Sequence, residues 1–145
     1  MTILEAIGRT DDLKPNNFTE LDKIRWLSEL EWTVKENIID THEGGETIIF
    51  DGYDETTNTE SKLLVSAPHD DIYLKWLEAK IDYHNGEYAK YNNSSVAFNN
   101  AYSAFERAYN RKHMPKQTKF KFFGVVKTPE YQVANALAKV SIEED

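Results

Sequence analysis

Apolar residues recur at helical spacing through most of this chain, and a few polar, glycine or proline segments interrupt the pattern. Thr2-Ile3-Leu4-Glu5 has the form of a capping box, in which Thr2 accepts from the amide of Glu5. It opens a short helix carrying Ile3, Leu4 and Ile7. Gly8 and Thr10-Asp11-Asp12 predict its end, and Pro15-Asn16-Asn17 predicts a turn. Thr19, with Asp22 three residues on, predicts a second cap and a helix over about 20–40. Its apolar stripe is Leu21, Ile24, Leu27, Leu30 or Glu31, Val34 and Ile38, with Trp26 and Trp32 off the line. His42-Glu43-Gly44-Gly45-Glu46 stops it. Thr47–Phe50 and Lys62–Val65 are β-prone runs that predict a short hairpin or two extended arms within 47–65. The polar, acidic connection is long for a hairpin, and 43–62 is expected to be mobile.

From Leu63 to Lys116 the helical spacing returns. Pro68 suits a first helical turn because it lacks an N–H, and Asp70 and Asp71 suit the positive end of the helix dipole. Ile72, Trp76, Leu77, Ile81 and Tyr88 follow one face. Gly86 marks a bend or a close-packed point. Asn92-Asn93-Ser94-Ser95 predicts a break and a new cap, after which Val96, Phe98, Tyr102, Phe105 and Tyr109 define another helix. Pro115 lies beyond its end. Lys119–Val126 begins with strand-like alternation, and Thr128-Pro129-Glu130 predicts a last helix from about 129. The fold expected is mainly α: a small bundle of about four to five helices, with the hairpin or arms at 47–65 and a C-terminal strand at 119–126.

Length fits a single domain: the chain has 145 residues. No cysteine is present, which excludes disulfides, zinc–thiolate sites and thiol nucleophiles. No apolar run has the length of a membrane span or a signal-peptide core, so no membrane partner is expected. Net charge is −8, yet Arg111 to Lys127 holds six basic residues and no acid. The global sign argues against general duplex binding, while the basic stretch could meet an acidic partner.

Nothing in the chain has the spacing of a reactive site. His42-Glu43 and His69-Asp70-Asp71 are metal-ligand types without a ligand spacing, and acids at helix starts are explained by capping. Asp51–Glu55 lacks the alternation of an EF-hand, and Gly44-Gly45 lacks the rest of a phosphate loop. Carboxylate pairs are uninformative in a chain with 25 acids. The expectation is a non-enzyme with no metal and no cofactor. Polar-tipped rings favour half-buried faces and interfaces, which makes Tyr73, Tyr83, Tyr88, Tyr102 and Tyr109 candidate contact residues. Lys119-Phe120-Lys121-Phe122-Phe123 adds a basic, aromatic candidate. It reads as an edge strand protected by lysines, as an arm that adds to a partner's sheet, or as a platform for single-stranded nucleic acid.

Several strings together resemble the head-tail connector family of tailed bacteriophages, also called head-completion or adaptor proteins. They are Asp22–Leu30, Asp40–Gly45, Leu63-Leu64-Val65 with Ala67-Pro68, Ile81-Asp82-Tyr83 with Asn85-Gly86-Glu87-Tyr88, Tyr91-Asn92-Asn93-Ser94, Phe98-Asn99, and Tyr109-Asn110-Arg111 with His113-Met114-Pro115. The resemblance spans residues 1–123, expected as one connector-like domain, and 124–145 departs from it as an extension. It implies a structural virion protein: a helical bundle with extended loops, forming a ring of about twelve copies below the portal. The implied partners are other copies of itself, the portal protein and a head-closure or tail-completion protein, without sequence-specific nucleic acid contacts. The alternative is a nucleic-acid-associated module using the basic aromatic tail at 111–127.

Overall fold

The computed structural model describes residues 1–116 of the chain. Four α-helices carry the fold: α1 (Ile3–Leu13), α2 (Glu20–Asn37), α3 (Ile72–His84) and α4 (Tyr88–Lys112). Short 3-10 turns at Ile39–Thr41 and Gly45–Thr47 follow α2. The architecture is the expected small helical bundle, in which α3 packs on α1, α2 and α4. The expected strand at 119–126, the arm residues Lys119, Phe120, Lys121, Phe122 and Phe123, and the helix from 129 lie outside the described residues.

Local signals place the first two helices. Thr2 Oγ1 accepts from Glu5 N–H and Glu5 Oε1 accepts from Thr2 N–H, both at 3.1 Å, completing the capping box. The helix does not stop at Gly8. It runs on to Leu13 because Thr10 is fully buried and its hydroxyl is satisfied by Ala6 C=O at 2.8 Å. Thr19 caps α2 through Asp22 N–H at 3.1 Å. Ile24, Leu27, Leu30 and Val34 enter the core as expected. Trp26, placed off the stripe, is buried as well, because α2 packs against both α1 and α3.

The second half departs further from its local signals. Pro68 lies in a turn ahead of α3, closed by His69 N–H to Ser66 C=O at 3.1 Å and containing a cis Ala67–Pro68 bond. The helix itself begins at Ile72. Asn92–Ser95 does not break α4, which is continuous from Tyr88 to Lys112. The break is the Asn85–Glu87 corner, where Gly86 adopts φ 75, a conformation that disfavours residues with a Cβ. Ser94 fits inside a helix because its hydroxyl bonds Lys90 C=O at 3.0 Å and reaches Asp82 Oδ2 at 2.8 Å.

No hairpin forms at 47–65, and the described residues contain only two isolated bridges, Thr2 with Lys62 and His42 with Pro115. Segment 43–65 instead follows the bundle surface. Ile3 N–H bonds Ser61 C=O, Leu4 N–H bonds Thr59 C=O, and Leu63 N–H bonds Met1 C=O. Gly45 is buried where a Cβ would collide with the backbone of Ile39. Leu63 and Val65 join the core formed by Ile3, Leu27, Ile72, Leu77, Ile81 and Phe105.

Two buried ionic groups fix helix positions. Lys14 Nζ lies 2.7 Å from each carboxylate oxygen of Asp82, which is 1% exposed, and so joins the end of α1 to α3. Lys23, also buried, bonds Asp11 at 2.7 Å. Removing one partner of a buried pair leaves an uncompensated charge. Lys14→Ala is therefore expected to lower unfolding stability by about 3 kcal/mol in urea titrations. Ser94→Ala, which removes one bond to the same carboxylate, is expected to cost about 1 kcal/mol.

Candidate interaction surface

The five candidate tyrosines fall into three environments. Tyr73 is not at the surface: it is fully buried on α3, and its hydroxyl donates to Glu31 Oε1 at 2.6 Å and accepts from Val65 N–H at 2.8 Å. Its polar tip is consumed by the core, so it cannot serve as a contact residue. Tyr83 and Tyr88 flank the α3–α4 corner and are 50% and 61% exposed. Their rings lie 5.9 Å apart, and Tyr83 lies 5.3 Å from Tyr91. Tyr102 and Tyr109 are half-buried on the inner face of α4. Tyr102 packs on Phe98, whereas Tyr109 stacks on His113 at 3.8 Å and meets the edge of His42 at 4.9 Å. The structure thus joins Tyr83 and Tyr88 into one patch and separates them from the others.

The tyrosine corner continues into aromatic residues the sequence pattern did not single out together. Tyr83 meets His84 at 5.3 Å, His84 stacks on Trp26 at 5.0 Å with near-parallel planes, and Phe18 packs edge-on to Trp26. Beside the corner, a cleft of about 550 Å³ runs between α3 and α4. Trp76, Lys80 and Tyr83 form one wall, and Tyr91, Phe98 and Asn99 form the other. Lys80 is oriented by Glu29 at 2.9 Å and lies 4.8 Å from the Trp76 ring centre. Trp76 is anchored by its indole N–H, which donates to Trp26 C=O at 2.6 Å. The cleft is therefore largely aromatic with polar side chains at its margins, and one cation is held at its edge.

Among the described residues, most buried polar groups elsewhere are occupied by the fold, the exception being the Tyr102 hydroxyl, which is buried without a hydrogen-bond partner. Glu31 is fully buried without a cation and accepts three hydrogen bonds: Tyr73 O–H, Tyr53 O–H at 2.9 Å and Leu64 N–H at 2.8 Å. Burial raises its pKa from the usual carboxylate range, and the three donors oppose that rise. Burial and the charge of Glu31 push both Tyr53 and Tyr73 upward, so both remain protonated donors. His42, also buried, faces Ile38 C=O at 2.6 Å and Asn110 Oδ1 at 2.7 Å. Neither Glu31 nor Asp82 lines the α3–α4 cleft or the smaller cleft near Pro68 and Phe105. Among the described residues no three His, Asp or Glu side chains gather as metal ligands.

The outer face of α4 completes the surface. Tyr91 to Phe105 contains no charged residue, although charged residues make up 29% of the chain. Tyr91, Ser94, Phe98, Ala101, Tyr102 and Phe105 turn toward the bundle, while Asn92, Asn93, Val96, Asn99 and Asn100 are exposed. The missing charges were visible in the sequence. Their position on an outward helix face became visible only when Asn92–Ser95 proved to be helical.

No protein-family model matches this chain, and neither the curated proteins nor the solved structures contain a match.

The Glu31 cluster predicts a pH dependence. A carboxyl whose folded pKa is raised above its unfolded value carries no penalty while protonated in both states. It destabilises the fold progressively as pH rises from the unfolded value, near 4.5, through the folded value. Glu31→Gln removes that titration and retains an oxygen acceptor. The stability of the variant minus that of the wild type should therefore grow as pH is raised above about 4.5, in urea titrations at each pH. Glu31→Ala leaves three donors unmatched and is expected to cost about 3 kcal/mol at neutral pH.

Proposed function

We propose that this chain is a head-tail connector subunit, a structural virion protein that assembles with copies of itself below a phage portal. The observation that carries the reading is where the resembling strings lie in the fold. Ile81–Tyr83, Asn85–Tyr88, Tyr91–Ser94 and Phe98-Asn99 form one continuous helical hairpin, α3–corner–α4. Several of these residues are not part of the core. Tyr83, Tyr88, Asn92, Asn93 and Asn99 are exposed and outside the core. Exposed aromatic and amide residues on a rigid scaffold suit recognition of another protein.

The buried polar groups support the same reading. Glu31, Asp82 and His42 each serve to hold segments together, and none opens onto the α3–α4 cleft. Function then belongs to surfaces. A ring built from head-to-tail contacts requires two different patches on each subunit, and the α3–α4 cleft and the outer α4 face are such a pair.

The test is direct. Purified chain mixed with the portal protein of the phage whose head genes adjoin it should co-sediment with the portal ring. Tyr88→Ala, at the corner and outside the cleft, should reduce the bound fraction severalfold while leaving the circular dichroism spectrum unchanged. Absence of co-sedimentation at all protein ratios would refute the assignment.

A further inference from the structure

We infer that the outer face of α4 docks against the α3–α4 cleft of a second copy of this chain, in a head-to-tail contact. This rests on the ring reading above and identifies the two patches that make the ring.

The face is defined by Asn92, Val96 and Asn100, which are exposed and recur at helical spacing, with Asn93 beside them. Val96 is 57% exposed, and the face lies wholly within the charge-free run from Tyr91 to Phe105. A solvent-facing helix of an isolated subunit ordinarily carries charges, and the fully desolvated centre of an interface is where charges are depleted.

Charge selects the occupant. The chain carries −8, so two copies repel one another across most pairs of faces. The outer α4 face brings no charge of its own to such a contact. The receiving cleft is likewise nearly neutral: Trp76, Tyr83, Tyr91 and Phe98 supply its walls, and its Lys80 is already paired with Glu29. The side chains also fit chemically. Asparagine amides donate and accept, and can bond the phenol groups of Tyr83 and Tyr91, while Val96 enters the apolar floor.

Geometry makes the contact heterologous. Tyr91, Ser95 and Phe98 line the cleft on one flank of α4, and Asn92, Val96 and Asn100 occupy another. One subunit can therefore present the ridge to one neighbour and the cleft to the other, which is the requirement for a ring. Size sets the strength. Ala89 to Ser103 extends about 21 Å along the helix axis, so each contact is smaller than the roughly 800 Å² per partner of a stable pair. Association in solution should be weak, and stronger when copies are held side by side on a template.

Analytical ultracentrifugation of the whole chain tests this with two surface variants. The wild type should show concentration-dependent association below about 1 mM. Val96→Glu on the ridge and Tyr83→Ala in the cleft should each weaken it by about tenfold or more. The same charge placed at exposed Leu13, as Leu13→Glu, should not weaken it. Thermal melts of all three variants should match the wild type, since the three sites are exposed. An equimolar mixture of Val96→Glu and Tyr83→Ala should form dimers and nothing larger, because one intact ridge then meets one intact cleft. A wild type that stays monomeric at about 1 mM, or a mixture that associates no better than its components, overturns the inference. The connector reading stands or falls separately: portal binding without the ridge–cleft contact would retain it, and ridge–cleft association without portal binding would refute it.

Discussion

The burial of Glu31 is the constraint on which the rest of the structure depends. A carboxylate on the inner side of α2 requires donors, and it takes them from three parts of the chain: Tyr53 in the long connection, Leu64 at its end and Tyr73 on α3. Among the described residues, segment 43–65 pairs into no sheet, so its backbone amides use other acceptors. Glu31 supplies one to Leu64, and the Tyr73 hydroxyl supplies one to Val65. The anchor also holds the chain beside Leu63 and Val65, which join the core. A single acid thereby replaces the hairpin that the β-prone runs suggest.

That substitution explains which parts of the fold were legible in the sequence. Capping at Thr2 and Thr19 is local chemistry, and both caps appear as read. The apolar stripe of α2 is also local, and it enters the core as read from Ile24 onward, while Leu21 stays half-buried. Glu31 interrupts that stripe, and only partners far along the chain make the burial of a charge there tolerable. The same limit applies to α4. Asparagine and serine favour caps over helix interiors, which makes Asn92–Ser95 read as a break. The packing of Tyr91 on Tyr83 and of Phe98 on Trp76 of α3 outweighs that preference, and Asp82, fixed by Lys14 at the end of α1, accepts the Ser94 hydroxyl. Trp26 is a third case: a helix with neighbours on two sides buries more than one stripe, and periodicity alone does not reveal the second neighbour.

The candidate surface was half legible for a related reason. The abundance of tyrosine pointed to polar-tipped contact residues, and Tyr83 and Tyr88 occupy an exposed corner. Tyr73 has the same side chain, and its hydroxyl satisfies a buried acid instead. Composition cannot separate these uses, because a phenol serves equally as a core donor and as a surface contact. Position relative to Glu31 decides between them.

The two halves of the structure follow one division of labour. Charged and polar groups that would be costly if left unpaired lie between α1, α2 and α3, where Glu31, Asp82 and Lys23 each have fixed partners. This interior holds the α3–α4 hairpin from behind. The hairpin's outward side has the opposite character: aromatic at the corner, apolar in the cleft and uncharged along α4. A surface of weak, neutral contacts is specific only when its shape is maintained, since amides and single apolar side chains contribute little unless several engage together. The buried ion pairs of the bundle therefore act on the surface indirectly. They fix how the α3–α4 hairpin is held against the bundle, and with it the shape of the cleft and of the uncharged face.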